Sequence, residues 1–316
     1  MVIDVLTIGS ATVDHFMTIE QPFSSVKAGD KILIKTAHTY SGGSASNSAA
    51  ALSLLGLKVR MLAKLGADHD AEFIVGEMKK YNVANICRQR SRHHTDFSTI
   101  ISSSREKDRI IYTFKEASRD LEAPDFKEKD LAASWLYLGS LMGKSFAVGT
   151  SIVRKAKSSI LFNPSLYLAQ KGKKFLRPIL ERTKILVLNL EEARAVLKTD
   201  SGGKETLLRE LRRAGPEIVI ITDGEKSVHA WHENTIYSLL PPQVKVVHTA
   251  GAGDAFTAGF LAGVIKKYPF EDALRLGQVN ALSVIQHIGC KNALLREPEV
   301  RAWMRRFKIK VSKKGL

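Results

Sequence analysis

The chain has 316 residues, of which 44% are hydrophobic and 25% are charged, a composition typical of a soluble globular protein. Its length suggests one large α/β domain or two smaller ones. The longest apolar stretch, residues 255–265, is shorter than the roughly 20 residues that span a membrane. The first ten residues carry no basic leader, and Cys87 and Cys290 have no metal-like spacing. We therefore expect a cytoplasmic protein with reduced thiols and no membrane partner.

The net charge of +16 has two interpretations. It is found in proteins that bind nucleic acid, and also in basic surfaces that attract phosphorylated ligands. Lys and Arg are spread along the whole chain, with a denser group in residues 301–316, and no recognised nucleic-acid module accompanies them. We therefore favour a solvated basic surface over a nucleic-acid partner, and we expect the basic C-terminus to be frayed.

The first predicted element is a strand at residues 3–9, a continuous apolar run that ends in glycine. Four later segments alternate apolar and polar residues, which predicts strands with one face in water. They cover residues 15–23, 31–40, 97–104 and 109–117. We expect these four strands to form a small antiparallel layer apart from the main core.

The remainder of the chain alternates strands with helices. A small-residue helix is predicted at residues 44–56 and a strand at residues 58–66. Later strand candidates, each followed by a polar or helical stretch, are SWLYLG (134–139), SSILFN (158–163), KILVLN (184–189) and EIVIIT (217–222). This order predicts βαβ units and a largely parallel sheet with helices on both faces.

Ligands of such sheets gather beyond the carboxyl ends of the strands. Asp14, Asn163, Asn189 and Thr222 all fall at such positions.

The stretch VHTAGAGDAFTAGFLAG, residues 247–263, places Gly251, Ala252 and Gly253 directly before Asp254. Glycines let consecutive N–H groups converge on an anion, and the helix that starts near Asp254 adds its positive dipole end. Because a carboxylate repels phosphate, we expect Asp254 to face an acceptor alcohol and to take its proton during phosphoryl transfer. The alternative is that Asp254 only caps the helix.

A second glycine turn lies in residues 40–56. Gly42 and Gly43 follow a strand and open a helix that has Asn47 in its first turn. Bare backbone and an amide that both donates and accepts hydrogen bonds suit the hydroxyls of a sugar. A purely structural turn between strand and helix is the alternative.

The two glycine motifs occur in this order, with KLGADHDAEF, NLEEARAVL and IITDGEKSVHAW between them. Together they resemble the ribokinase-like (PfkB) carbohydrate and nucleoside kinases, and the likeness runs from residue 2 to about 295. It implies a three-layer α/β/α core with a mostly parallel sheet, a small antiparallel β lid, ATP as co-substrate and Mg²⁺. The lid would close over the sugar and offer a homodimer interface. The implied core covers residues 1–13, 41–92 and 119–316, and the implied lid covers 14–40 and 93–118.

The resemblance also implies a role for each matching residue. Asp254 is the general base, and the turn of Gly251, Ala252 and Gly253 supplies an anion hole that includes the N–H of Asp254. The other implied roles are substrate binding by Asp14, Gly42, Gly43 and Asn47, nucleotide binding by Asn189, Thr222, Gly224 and Asn280, and Mg²⁺ binding through water by Glu192.

Structural interpretations are the alternatives for three of these residues. Under these alternatives, Asp14 would cap a turn, Glu192 would be an acid in the first turn of a helix, and Asn280 would lie on a helix surface.

Three positions depart from the family's pattern. His248 stands where the family has an acid associated with a monovalent cation, which argues against potassium activation. Gly139 and Ser140 stand where ribokinases carry an acid that holds ribose, which argues against ribose. Asp96 replaces a lid glycine, and we assign it to substrate binding, with a solvent-facing position as the alternative.

The sequence thus predicts a sugar kinase that moves the γ-phosphoryl group of ATP to a hydroxyl of a sugar or related polyol. A nucleoside kinase with the same mechanism is the first alternative, favoured if Phe16, Phe97 or Phe114 faces the ligand. A non-catalytic sugar-binding regulator is the second alternative, and the intact Asp254 with its glycine turn argues against it.

Overall fold

A mainly parallel sheet forms the core of the computed structural model, which describes residues 2–106 and 108–315. Its central strands are apolar on both faces because helices cover both faces. In chain order the strands are β1 (Val5–Ile8), β2 (Thr12–Ile19), β3 (Ile34–Gly42), β4 (Val59–Leu62), β5 (Ala84–Asn85), β6 (Phe97–Ser103), β7 (Arg109–Phe114), β8 (Trp135–Leu138), β9 (Ser159–Phe162), β10 (Ile185–Asn189), β11 (Ile218–Asp223), β12 (Ser227–His232), β13 (Thr235–Leu239) and β14 (Val311–Gly315).

Over the described residues the large sheet has ten strands, in the order β14-β13-β12-β11-β10-β9-β8-β1-β4-β5. The strands from β11 to β5 are parallel, and β12, β13 and β14 extend the sheet with antiparallel pairings. Parallel neighbours need crossover connections, and helices supply them here. The strands predicted at 3–9, 58–66, 134–139, 158–163, 184–189 and 217–222 are confirmed.

Helices pack on both faces of this sheet. In β10, Ile185 and Val187 join one apolar cluster, whereas Leu186 and Leu188 join the cluster on the opposite face. This alternation produces the expected three-layer α/β/α core. The helices are α1 (Ser44–Leu54), α2 (His69–Lys80), α3 (Gly143–Lys155), α4 (Leu166–Ala169), α5 (Gly172–Leu180), α6 (Leu190–Leu197), α7 (Lys204–Arg212), α8 (Ala252–Ile265), α9 (Phe270–Val284) and α10 (Glu297–Phe307).

Helix α8 packs closely against α9, which fixes the position of its first turn. A Cβ atom on Gly259 would lie 2.9 Å from Gly277 Cα, and one on Gly263 would lie 2.7 Å from Ala273 Cα. The small residues of the late glycine motif therefore allow the two helix backbones to approach. Because interiors are close-packed, larger residues at these positions would move the helix.

The lid is a second sheet, in the order β3-β2-β6-β7. Its two hairpins are antiparallel, as expected, but their inner strands β2 and β6 pair in parallel, with Asp14 opposite Ser98. The parallel pair arises because both inner strands start from the core end of the lid. The edge strand β7 exposes Ile111 and Tyr112 to 49% and 60%. A homodimer through this lid stays a prediction.

The four lid strands fall largely inside the segments 14–40 and 93–118 that the sequence assigned to the lid. β2 begins at Thr12 and β3 ends at Gly42, two residues beyond the first segment at each end. Positions 1, 107 and 316 lie outside the described residues. The division into domains stays a prediction.

The expectation of a frayed C-terminus is wrong. Residues 297–307 form α10, and β14 adds to the large sheet beside β13. Lys313 forms an ion pair with Glu271, and Lys314 pairs with Glu205 at 2.8 Å. Main-chain hydrogen bonds and these ion pairs hold the basic tail against the core. None of the described helices is long and apolar enough to cross a membrane.

Candidate active site

Residues of both glycine motifs meet in a polar cleft at the carboxyl ends of the parallel strands. Its volume of about 370 Å³ lies within the range common for small-molecule sites, roughly 300–1,000 Å³. A second hollow of about 790 Å³ lies at the amino ends of β8 and β9, and none of the predicted site residues lines it. The predicted residues that line the polar cleft are Asp14, Gly43, Asn47, Asn189, Glu192, Thr222, Gly251, Gly253 and Asp254.

Helix α8 begins at the edge of this cleft, and its first turn carries Asp254. Gly251, directly before the helix, has a φ angle of 82°, which residues with a side chain rarely adopt. A Cβ atom there would also lie 2.7 Å from the main chain of Cys290. The N–H groups of Gly253 and Asp254 belong to the first turn and so have no carbonyl partner within the helix. Together with the helix dipole, they make this end of α8 suitable for an anion.

A hydrogen bond from the early glycine motif holds Asp254. Asn47 Nδ2 donates to Asp254 Oδ2 over 2.9 Å, and Lys291 Nζ donates to Asn47 Oδ1 over 3.1 Å. Burial raises the pKa of Asp254 to about 6, while the Asn47 bond and the Lys291 charge act in the opposite direction. An acid with this pKa is mostly ionised at pH 7 and still has appreciable affinity for a proton.

Asp14 lies in β2, on the lid side of the cleft. It is 8% exposed, and one of its carboxylate oxygens accepts a 3.1 Å bond from the Thr12 hydroxyl. A Cβ atom on Gly42 would overlap the Asp14 carboxylate, so Gly42 makes room for that side chain. Gly43 precedes α1 with a φ angle of 92°, and a Cβ atom on it would lie 2.6 Å from the Ser10 carbonyl oxygen.

Asn189 and Glu192 form a reciprocal cap at the start of α6. Glu192 Oε2 accepts a 2.8 Å bond from the Asn189 N–H, and Asn189 Oδ1 accepts a 2.8 Å bond from the Glu192 N–H. Burial raises the pKa of Glu192 to about 7, and the negative charge of Asp254 adds to the shift. Thr222 lies beside them at the end of β11, 3.5 Å from the Leu188 carbonyl oxygen.

These side chains suit a metal ion that is also held by substrate phosphates. Within residues 2–106 and 108–315, no group of three or more His, Cys, Asp and Glu is placed to hold a metal ion alone. Mg²⁺ commonly keeps several waters and binds through one or two carboxylates together with substrate phosphates. The Glu192 carboxylate lies in the cleft and fits that mode.

The sequence pattern of the pfkB family carbohydrate kinases matches residues 2–297. The chain belongs to this family. Kinases of the family use ATP as co-substrate, so the protein is an ATP-dependent phosphotransferase that acts on a sugar.

Two kinds of relative illustrate the likeness. The 5-dehydro-2-deoxygluconokinase of Clostridium tetani is 24% identical over 327 residues, which cover 97% of this chain and 94% of the relative. The ribokinase of Thermotoga maritima has a TM-score of 0.83 at 19% identity, covering 96% of this chain and 99% of that chain. The Arabidopsis thaliana ribokinase, solved with ribose and ATP, has a TM-score of 0.80 at 20% identity with the same coverage. The structural likeness confirms the ribokinase-like α/β fold.

Gly42 and Ala252 of the kinase lie beside the cleft but do not line it. Gly42 acts through the space that it leaves for Asp14. Ala252 offers only its main chain, and its N–H donates to the Thr249 carbonyl over 3.3 Å. The anion hole predicted at this turn therefore has Gly253 and Asp254 as its available donors.

Asp96 does not line the cleft, and the expected solvent-facing alternative is wrong because the side chain is 1% exposed. Its carboxylate accepts bonds from the N–H groups of Glu116 (3.0 Å) and Ser118 (3.1 Å) and from the Ser118 hydroxyl. Asp96 thus closes the turn at 117–119, where the chain returns from the lid to the core.

Asn280 is also absent from the cleft, and its expected alternative, a helix-surface position, is wrong because it is fully buried. Its Nδ2 donates to the Ala255 carbonyl over 2.8 Å, and its Oδ1 accepts a 3.1 Å bond from the Leu295 N–H. The amide nitrogen therefore holds α8, and the amide oxygen holds the segment that leads to α10. Gly224 lies in the turn between β11 and β12 with a φ angle of 54°, outside the cleft lining.

Two lysines lie at this site although no sequence motif predicts them there. Lys115 follows β7 and is the one cation among the described residues that line the cleft, and its ammonium lies 5.9 Å from the ring centroid of Tyr167. Lys291 is buried behind Asn47. The chain has 48 Lys and Arg residues, and neither position belongs to a motif that distinguishes it from the others.

His248 packs edge-on against Phe16, with 4.8 Å between ring centroids. Its Nδ1 accepts a 3.1 Å bond from the Ala250 N–H, and burial lowers the pKa of the imidazole. A neutral ring offers no negative charge to a cation, unlike the acid that the family usually has here. Potassium independence stays a prediction.

Proposed function

We propose that this kinase transfers the γ-phosphoryl group of ATP to a hydroxyl of a sugar or related polyol, with Asp254 as the general base. The observation that supports this most strongly is the position of the Asp254 carboxylate in the polar cleft, where it is bonded to Asn47 and belongs to the first turn of α8. A helix cap alone would need neither the bond to Asn47 nor a half-buried carboxylate with a pKa of about 6.

The proposed step forms one bond and breaks another. The sugar hydroxyl oxygen bonds to the γ-phosphorus as the bond from that phosphorus to the bridging oxygen of ADP breaks, and the hydroxyl proton passes to Asp254. The N–H groups of Gly253 and Asp254 stabilise the negative oxygens of the transferring group. Mg²⁺, held near Glu192 through water, would neutralise phosphate charge when bound.

The aromatic residues near the lid support a sugar over a nucleoside. Phe97 and Phe114 stack on each other with 5.1 Å between centroids, and Phe16 is 6% exposed beside His248. None of these three phenylalanines lines the cleft. A nucleoside kinase would be expected to offer a stacking ring from the lid to the base. The one aromatic ring among the described lining residues, Tyr167, comes from α4 of the core instead.

Within the sugars, Lys115 favours an anionic member such as a sugar acid. Its ammonium lies 3.9 Å from Asp96, whose carboxylate already accepts three hydrogen bonds, so the lysine retains capacity for a ligand. The name of the Clostridium tetani relative specifies a deoxygluconate.

We expect Lys115→Met to raise the KM for the preferred acid about tenfold or more, as loss of a charge-assisted bond does. Neutral sugars should be unaffected. The exposed Lys173→Met is the matched control, measured by the same steady-state assay. A wild-type enzyme that prefers neutral sugars would contradict the assignment of Lys115.

The reaction itself is tested by nucleotide release with a panel of neutral sugars, sugar acids, sugar phosphates, polyols and nucleosides. Asp254→Asn should lower the turnover of the best substrate at least about a hundredfold, because the amide cannot accept the proton. Asp272→Asn, in α9 and outside the cleft lining, is the control. Near-normal turnover by Asp254→Asn would remove the general-base assignment, and a panel without turnover would favour a sugar-binding regulator.

A further inference from the structure

Lys291 is a buried lysine whose partners are all uncharged atoms. It is 5% exposed, and its Nζ donates to the Ser41 carbonyl at 2.5 Å, Asn47 Oδ1 at 3.1 Å and the Ser46 hydroxyl at 3.3 Å. Among the described residues, the acceptors that this ammonium reaches are a carbonyl, a hydroxyl and an amide oxygen, and none of them is a carboxylate. Burying an ammonium without a counter-ion is costly, which indicates that Lys291 has a role beyond packing.

The contact with Asn47 connects Lys291 to the cleft. An ammonium group can only donate hydrogen bonds, so the atom of the Asn47 amide that faces Lys291 must be the oxygen. The NH₂ group then points the opposite way, where it donates to Asp254 Oδ2 over 2.9 Å. The amide is therefore held at both ends, and its orientation decides which group meets the carboxylate.

We propose that Lys291 is a positioning residue for phosphoryl transfer, which fixes the Asn47 amide and through it the Asp254 carboxylate. Lys291 does not line the cleft, so it acts through Asn47 and not by contact with substrate. The inference rests on the proposed role of Asp254 as the base.

A second explanation of the same lysine is general charge balance. Burial lowers the pKa of Lys291 to about 8, while Cys290 and the nearby carboxylates of Asp14, Glu77 and Asp254 oppose that shift and favour the charged form. In that case loss of Lys291 would act on several groups at once, independently of Asn47. A double-mutant cycle separates the two explanations, because only a shared path through Asn47 makes the effects non-additive.

The cycle compares Lys291→Met, Asn47→Ala and the double variant by steady-state nucleotide release at pH 7 with the best sugar. Misplacement of a catalytic group by about 1 Å can reduce the rate about a hundredfold. We therefore expect Lys291→Met to lower kcat roughly ten- to a hundredfold, with the KM values for ATP and sugar changed less than about threefold. The double variant should have a kcat within about twofold of Asn47→Ala alone.

Lys266→Met, which breaks a surface ion pair with Glu297, is the matched control and should retain kcat within about twofold. Thermal unfolding monitors the fold of every variant. If Lys291→Met does not fold, Lys291→Gln replaces it in the cycle, because its amide keeps a donor without the charge.

Three results would each overturn the positioning role. The kcat of the double variant could fall by the product of the two single losses, Lys291→Met could raise KM at unchanged kcat, or both Lys291 variants could fail to fold. An Asp254→Asn variant with near-normal turnover would instead remove the proposed function itself. The two failures are therefore distinguishable.

Discussion

The hydrogen bond from Asn47 to Asp254 allows a quantitative prediction of how kcat/KM depends on pH. An ionised Asp254 is needed to accept a proton, so activity should be lost as the pH falls through its pKa of about 6. With that pKa, about 90% of the carboxylates are ionised at pH 7 and about 10% at pH 5. The kcat/KM of the wild-type kinase should thus fall at least about tenfold between these two pH values, because Glu192, with a pKa of about 7, loses its charge over the same range.

Asn47→Ala removes a donor that stabilises the ionised carboxylate, so the pKa of Asp254 should rise. A hydrogen bond to a charged group contributes about 1.5–3 kcal/mol, and one pKa unit corresponds to about 1.4 kcal/mol. The 2.9 Å bond therefore predicts a rise of about one to two units, to a pKa of about 7–8. The ionised fraction at pH 7 then drops to roughly 10–50%, and it recovers by about pH 9.

The assay is the pH dependence of kcat/KM from pH 5 to 9.5 at constant ionic strength, which reports the ionisation of the free enzyme. Asn234→Ala, in the exposed turn between β12 and β13, is the control and should match the wild-type profile. An acid limb that stays near pH 6 in Asn47→Ala, with the same loss of activity at every pH, would refute the coupling. That result would assign Asn47 to substrate contact alone.

Three substitutions outside the proton-transfer pair test the supporting structure. Gly251→Ala should lower the stability by about 2 kcal/mol or more in a denaturant titration, because its φ angle of 82° is unfavourable for alanine. Gly42→Ala should raise the KM for sugar about tenfold and leave the KM for ATP unchanged, because its methyl group displaces the Asp14 carboxylate. A KM for sugar equal to the wild-type value would contradict this. Lys64→Met leaves Asp125 as an unpaired buried charge and should lower the free energy of unfolding by about 3–5 kcal/mol, with the kcat of the folded enzyme unchanged.

The sequence was sufficient to predict the layers of the fold and most of the cleft. Apolar runs such as residues 184–189 mark buried parallel strands, and residues that follow such strands meet at one edge of the sheet. For this reason Asp14, Asn189 and Thr222 share a cleft although they lie far apart in the chain. The family resemblance, carried by two glycine motifs, added the roles that chemistry alone left open.

What sequence reasoning missed depends on partners that are distant in the chain. Asn280 is buried because main-chain groups 25 and 15 residues away complete its hydrogen bonds. Lys291 meets Asn47 across 244 residues, and a lysine gives no sign of such a partner. The basic tail was predicted to fray because its charge suggests solvent, yet β13 offered a free edge with which it could pair. The cytoplasmic location, the domain limits and the lid-mediated homodimer stay predictions.

The central claim is that Asp254 takes the proton of the acceptor hydroxyl. Single-turnover transfer from labelled ATP to the best sugar, measured beside the binding affinity for ATP, tests it most directly. We expect Asp254→Asn to bind ATP within about threefold of the wild-type affinity and to form phosphosugar at least about a hundredfold more slowly. Transfer at the wild-type rate, or a loss explained entirely by weaker ATP binding, would contradict the account.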